Sequence, residues 1–146
     1  KSTVVNEVRL AFPSVSANEA FARSAAASFC AQLNPTFDEL SDIKCAVSEA
    51  VTNAIVHGYR DALGEVQLSM KITDDRVFRA EIKDKGCGIE DTELVKTPLY
   101  TTDKSGERSG MGFAVMESFM DKLVLKSAVG RYTKVTLTKN LSPLEL

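Results

Sequence analysis

Two polar residues one helical turn apart are the first indication of chemistry in this chain. Glu49 and Asn53 occupy positions i and i+4 of a segment with helical spacing, and His57 follows at i+8. All three are therefore predicted to share one helical face. A carboxylate can accept a proton from an attacking hydroxyl or water. A carboxamide oxygen suits Mg²⁺, which prefers oxygen ligands and substrate phosphates. His57, near the predicted helix end, is expected to have a structural role.

Two further polar residues are predicted to point inward from strands. Asp84 continues the core-side alternation of strand 78–82, and Thr133 is in phase with the apolar residues of strand 135–137, so both side chains should face the core. A buried carboxylate needs a donor, and the exocyclic amino group of adenine would serve. Thr133 would contact the same base directly or through water. The alternatives are a turn aspartate that caps its loop and a threonine hydrogen-bonded to its own backbone.

Two glycine-rich segments accompany these residues. Gly86 and Gly88 follow the aspartate directly, and Ser109-Gly110-Met111-Gly112 leads into a predicted helix. Glycines permit a close approach of backbone to ligand, and a helix N-terminus favours a phosphate. Arg108 could add a charge-assisted contact to phosphate oxygens, and Lys104 is a weaker candidate. The alternative is a solvated loop with incidental charges.

The first half of the chain supplies one strand and two helices to position these residues. Residues 3–12 alternate in polarity and predict a strand. Ser16 and Glu19 have the spacing of a capping box and predict the start of a helix that ends before an Asn-Pro pair. Thr36 and Glu39 have the same spacing. They predict the start of the helix with the carboxylate-carboxamide pair, for which Gly58 is a plausible stop.

The second half predicts four more strands and one more helix. Their ranges are strands 66–72 and 78–82, a helix over 113–123, and a closing hairpin of strands 122–129 and 132–139. Residues 90–110 lack a clear period, and a loop this long is usually functional or mobile. Antiparallel strands packed against helices predict an α+β fold with two layers.

Composition fits one folded domain and excludes several classes of protein. The 146 residues are 44% hydrophobic and 26% charged, which is ordinary for a globular domain. The net charge of -2 gives no electrostatic reason to expect nucleic acid. No apolar run approaches the ~20 residues that span a bilayer, and no signal peptide is visible. The 3 cysteines lack metal-type spacing and indicate free thiols in a reducing cytosol.

Taken together and in this order, the motifs resemble the GHKL ATP-binding superfamily of gyrase-type ATPases and histidine kinases. Its N box is matched by Glu49 and Asn53, its first glycine box by Asp84, Gly86 and Gly88, and its second by Gly110 and Gly112. The closer resemblance is to the anti-sigma factor serine kinases of spore-forming bacteria. Segments 18–23, 48–59 and 107–113 support that resemblance, which spans nearly the whole chain. Departures from the usual family residues are Lys85, Cys87 and Tyr132.

This resemblance implies a fold and an activity. The fold would be a two-layer α/β sandwich of the GHKL (Bergerat) type, with a mixed, mostly antiparallel sheet and helices on one face. Residues 1–146 would form a single kinase domain with an ATP lid at about 90–112. The protein would be a cytoplasmic homodimer that inhibits a sporulation sigma factor of the sigma F type. Using Mg-ATP, it would also phosphorylate an anti-anti-sigma factor on serine, with no direct contact to nucleic acid or membrane.

The resemblance also implies roles for individual residues. Glu49 would be the catalytic base, Asn53 a Mg²⁺ ligand and Arg23 a partner contact. The nucleotide, ATP or ADP, would be bound by Asn53, Asp84, Gly86, Gly88, Arg108, Ser109, Gly110, Met111, Gly112 and Thr133.

Three other functions stay open on the sequence alone. One is a binding module that uses nucleotide only to control capture of a sigma factor, although such a module has no need of the Glu49 base. Another is a simple ATPase in which Glu49 activates water. The third is a kinase of the same family that regulates a stress-response sigma factor.

Overall fold

Strands and helices follow one another in the order that the sequence predicts. The computed structural model describes residues 2–58, 63–86 and 112–144. Its elements are β1 (Val4–Pro13), α1 (Ala17–Cys30), α2 (Phe37–Asn53), β2 (Glu65–Thr73), β3 (Val77–Asp84), α3 (Gly112–Phe119), β4 (Lys122–Ala128) and β5 (Tyr132–Asn140). The predicted loop 90–110 lies outside the described residues.

The strands form one sheet in the order β1-β2-β3-β5-β4. Each of the four pairings is antiparallel, so within the described strands the sheet is antiparallel rather than mixed. Two of the pairings, β2 with β3 and β4 with β5, join consecutive strands as hairpins. The predicted α+β class is confirmed.

The core lies between one face of this sheet and the helices. Alternate residues of β2 and β3 are buried there, as period-2 alternation requires, and α2 contributes its apolar stripe. Fully buried members of this core include Ile43, Val47, Val51, Val66, Leu68, Met70, Phe78 and Ile82. α2 packs against α1 and α3 and also contacts β3 and β5. This central helix is therefore held from several sides, which fixes the direction of its polar side chains.

The two predicted capping boxes have different outcomes. At the start of α2, Thr36 Oγ1 accepts from the Glu39 N–H at 3.1 Å and Glu39 Oε1 accepts from the Thr36 N–H at 2.8 Å, so this box is confirmed. At the start of α1, Ser16 makes no side-chain cap, and that prediction is wrong. The Glu19 carboxylate instead accepts a 2.5 Å hydrogen bond from Ser48 Oγ of α2, so a tertiary contact has replaced the local one.

Helix ends also differ from the sequence pattern. α3 ends at Phe119 rather than at residue 123, because the Asp121 N–H donates to the Thr138 carbonyl at 2.9 Å and joins the chain to the sheet. α2 continues beyond Asn53 as a π-helical turn, Ala54–Gly58. A wider turn changes the angular spacing of residues. The 3.6-residue period that placed His57 on the face of Glu49 therefore does not extend to it.

The C-terminal segment is attached to the helical layer by two side chains. Arg76 Nε donates to the Ser142 carbonyl at 2.8 Å, and its guanidinium also donates to the Leu33 carbonyl. Glu39 Oε2 accepts from the Ser142 N–H at 2.8 Å. Arg76 holds a left-handed backbone with φ of 65°, a conformation that costs a non-glycine residue energy. In the part of the chain that is described, no helix is long and apolar enough to cross a membrane.

Candidate functional site

Glu49 and Asn53 converge on the residue that begins α3. A Cβ atom placed on Gly112 would lie 3.1 Å from Glu49 Oε2 and 3.2 Å from Asn53 Nδ2. Both side chains therefore extend from α2 towards the same point, in agreement with their i, i+4 spacing. These separations are tighter than ordinary Cβ contacts, so a side chain at residue 112 would displace Glu49 and Asn53 by a few tenths of an ångström.

This cluster combines a carboxylate, a carboxamide and the start of a helix. Gly112 is the first residue of α3, and the N-terminal amides of a helix favour an anion. Glu49 and Asn53 are half-buried. The arrangement is suited to a phosphate-bearing ligand that approaches α3, with a proton-accepting carboxylate beside it.

This donor set fits a magnesium ion that is shared between the protein and the phosphates of a bound ligand. Mg²⁺ is commonly held by one or two protein oxygens and completes its coordination with water and substrate phosphates. Asn53 Oδ1 lies 3.6 Å from the same Gly112 Cβ position, so an oxygen ligand for the ion is present at the start of α3. Within residues 2–58, 63–86 and 112–144, no group of three or more His, Cys, Asp or Glu side chains could hold a metal. A magnesium ion at Asn53 would therefore depend on the phosphates of its ligand.

Asp84 supplies a buried carboxylate at the end of β3. Its side chain faces the core, as strand alternation predicts, and the residue is only 4% exposed. Burial raises the pKa of Asp84 from 3.8 to about 6, although the hydrogen bond from the Gly86 N–H opposes the rise. That bond is 2.9 Å long and ends on Asp84 Oδ1. A buried carboxylate is costly unless a donor is present, so this position favours a ligand that offers an N–H group.

Thr133 lies directly opposite Asp84 on β5. It is also buried, and its hydroxyl lies 3.1 Å from the hydroxyl of Ser127 on β4. The structure therefore brings together Asp84, Gly86 and Thr133 at one end of the sheet, on the face that the helices cover. Ser127 was not among the residues predicted from the sequence. It follows Leu123 and Leu125 in the inward phase of β4. The register of the β4–β5 hairpin would have shown that Ser127 lies opposite Thr133.

Several predicted residues lie elsewhere. Arg23 is on the surface of α1 and pairs with Glu19 at 3.5 Å, so it belongs to neither cluster. The side chain of His57 lies outside what the structure describes. The remaining predictions, at Lys104 and in the two glycine-rich segments, also lie outside the described residues; they are Gly88, Arg108, Ser109, Gly110 and Met111.

Comparisons with known proteins extend this picture to the whole chain. Residues 12–139 match the family described as the histidine kinase-like ATPase domain. The chain is 51% identical over 138 residues to the anti-sigma F factor of Bacillus subtilis, with 94% of each chain covered. It is 48% identical to the anti-sigma F factor of Clostridium acetobutylicum, with 96% of this chain and 97% of that protein covered.

The chain belongs to the anti-sigma F factor family. Solved structures agree with this family's fold. The RsbU and RsbW domains of a Mycobacterium tuberculosis protein superpose with a TM-score of 0.70 at 20% identity, covering 96% of this chain and 34% of that longer chain. The mycobacterial sensor histidine kinase MprB superposes with a TM-score of 0.57 at 21% identity, over 72% of this chain and 74% of that one. These likenesses show that this anti-sigma F family member has the histidine kinase-like ATPase fold.

Proposed function

We propose that this chain is an ATP-dependent protein serine kinase that also binds and inhibits a sigma factor of the sigma F type. Family membership supports the anti-sigma role. The observation that supports the kinase role most directly is the approach of Glu49 and Asn53 to Gly112 at the start of α3. A module that only captured a sigma factor would not need a carboxylate at this point, whereas phosphoryl transfer to a hydroxyl does.

Each described residue of the site has a role in this proposal. Glu49 accepts the proton of the attacking serine hydroxyl. Asn53 orients the phosphates and supplies an oxygen to Mg²⁺, which neutralises phosphate charge when bound. The first amides of α3 stabilise phosphate oxygens. Asp84 accepts from the amino group of adenine, and Thr133 lies beside it to contact the base.

The rest of the chain has assigned roles in the same proposal. Residues 1–146 form a single kinase domain, with an ATP lid at about 90–112 that covers the nucleotide. The nucleotide is contacted by Gly88, which precedes the lid, and by the lid residues Arg108, Ser109, Gly110 and Met111. Arg23 is 43% exposed at its side chain and is proposed to contact a protein partner. The protein acts as a homodimer in the cytoplasm, and its substrate is an anti-anti-sigma factor.

One experiment separates this function from its rivals. The protein is incubated with Mg²⁺ and γ-labelled ATP in three samples: alone, with the anti-anti-sigma factor, and with the sigma factor. A kinase transfers label to a serine of the anti-anti-sigma factor and releases little free phosphate when alone. Rapid phosphate release without a partner would instead show a simple ATPase. ATP-dependent sigma factor binding without any transfer would show a nucleotide-controlled binding module.

A further inference from the structure

Three polar side chains form a continuous row across the sheet at the candidate base-binding end. Asp84 of β3 pairs with Thr133 of β5, and Thr133 pairs in turn with Ser127 of β4. The next row on the same face, two residues along each strand, consists of Ile82, Val135 and Leu125, all buried and apolar. A polar row beside an apolar one needs internal hydrogen bonds or a ligand to satisfy it.

Hydrogen-bond geometry determines where the hydroxyl protons of this row point. Ser127 Oγ lies 2.7 Å from the Tyr132 carbonyl oxygen, which can only accept, so Ser127 donates its single proton there. The contact between Ser127 Oγ and Thr133 Oγ1 is 3.1 Å. The distance alone allows either hydroxyl to donate, and with the Ser127 proton on the Tyr132 carbonyl we assign Thr133 as the donor in this contact. Its remaining lone pairs then face away from β4, as acceptors.

Asp84 is an acceptor in the same row. Its Oδ1 accepts from the Gly86 N–H, and a carboxylate has no proton to donate. Asp84 and Thr133, the two buried residues of this row, are therefore both acceptors on the side away from β4. An amino group can donate to them. A carbonyl oxygen at the same place would face acceptors, and leaving buried polar groups unpaired costs roughly 1–3 kcal/mol for each group.

We propose that Ser127 is a specificity-determining residue, which fixes the Thr133 hydroxyl as a donor towards β4 and so makes the site select a base with an amino group over one with a carbonyl. This inference rests on the proposed binding of adenine nucleotide. Ser127 acts through Thr133 and is a positioning residue. Without the Ser127 acceptor, the Thr133 hydroxyl can rotate and donate to a carbonyl, so the discrimination should weaken.

Isothermal titration calorimetry with ADP and IDP tests this inference. IDP carries a carbonyl oxygen in place of the amino group of ADP and a hydrogen on the adjacent ring nitrogen N1, and the two share the same phosphates and sugar. Titrations at pH 8 with Mg²⁺ keep Asp84 ionised. The wild-type chain should prefer ADP by at least about 100-fold. In Ser127→Ala, the ratio of the two dissociation constants should fall about tenfold or more.

Two further variants control for the chemical change itself and for folding. Ser69→Ala makes the same chemical change on β2, on the face of the sheet away from the helices, and should leave the ratio unchanged. Ser127→Cys preserves side-chain volume with a weak acceptor and should lower the ratio even if Ser127→Ala folds poorly. A loss of packing alone would weaken both nucleotides equally, so the ratio separates positioning from structure.

The outcomes distinguish the role of Ser127 from the proposed function. An unchanged ADP to IDP ratio in both Ser127 variants, with ADP still preferred by the wild type, would overturn the role of Ser127 alone. Failure of the wild-type chain to bind either nucleotide would overturn the proposed function itself, and the inference about Ser127 with it.

Discussion

Gly112→Ala should lower the rate of phosphoryl transfer while leaving the stability of the fold almost unchanged. The new Cβ would lie 3.1 Å from Glu49 Oε2 and 3.2 Å from Asn53 Nδ2, so both side chains must move by a few tenths of an ångström. Misplacement of reacting groups by about 1 Å can cost roughly 10²-fold in rate. We therefore expect this smaller shift to lower the phosphoryl-transfer rate by up to about tenfold. Fold stability should change by less than about 1 kcal/mol, because alanine favours a helix over glycine.

Single-turnover transfer of label to the anti-anti-sigma factor measures the rate, and urea unfolding measures stability. Ala114→Gly is the matched control within α3, where the residue is half-buried. It should cost about 1 kcal/mol of stability and leave the transfer rate close to that of the wild type. Wild-type transfer by Gly112→Ala would refute the reasoning, since the glycine would then not be needed for the position of Glu49 and Asn53.

Three further predictions concern charge and stability. The pKa of Asp84 is raised in the native state to about 6, so the folded protein is stabilised by the protonated form of this carboxyl. That contribution to the free energy of unfolding is fully present below about pH 4 and is lost as the pH rises through about 6. Asp84→Asn should thus raise the free energy of unfolding of the nucleotide-free protein by about 1–3 kcal/mol at pH 8 and leave it unchanged near pH 4. The same variant should bind ADP more weakly. Equal stability of variant and wild type at pH 8 would contradict this. Thr36→Ala should lower the free energy of unfolding by about 1 kcal/mol in urea titrations, whereas no loss would mean that the capping box is not stabilising. Arg76→Ala should cost about 2 kcal/mol by loss of its hydrogen bonds, and Arg76→Gly about 1 kcal/mol less because glycine tolerates the left-handed backbone; equal losses would show that the strain is not released.

Features with a simple local period were predictable from the sequence. Alternation along β3 and β5 placed Asp84 and Thr133 on the core face, because the side chain of each strand residue is fixed by its parity. Helical spacing placed Glu49 and Asn53 one turn apart. Both arrangements depend only on the backbone geometry of a single element.

Features that depend on contacts between elements were not predictable in the same way. Ser16 and Glu19 have capping-box spacing, but Glu19 bonds instead to Ser48, which is distant in the sequence. Ser127 contributes only once the hairpin register sets it opposite Thr133. Such pairings are determined by packing or by strand register, which the spacing within one element does not reveal.

The central claim is that Glu49 acts as the base in phosphoryl transfer to a serine. Glu49→Gln tests it most directly, because glutamine keeps the shape of the side chain but not its proton-accepting carboxylate. Single-turnover transfer and ADP titration are measured on the same preparation. We predict that transfer falls by about 10²–10⁴-fold while ADP affinity stays within about threefold of the wild type. Transfer at the wild-type rate with intact nucleotide binding would contradict the account.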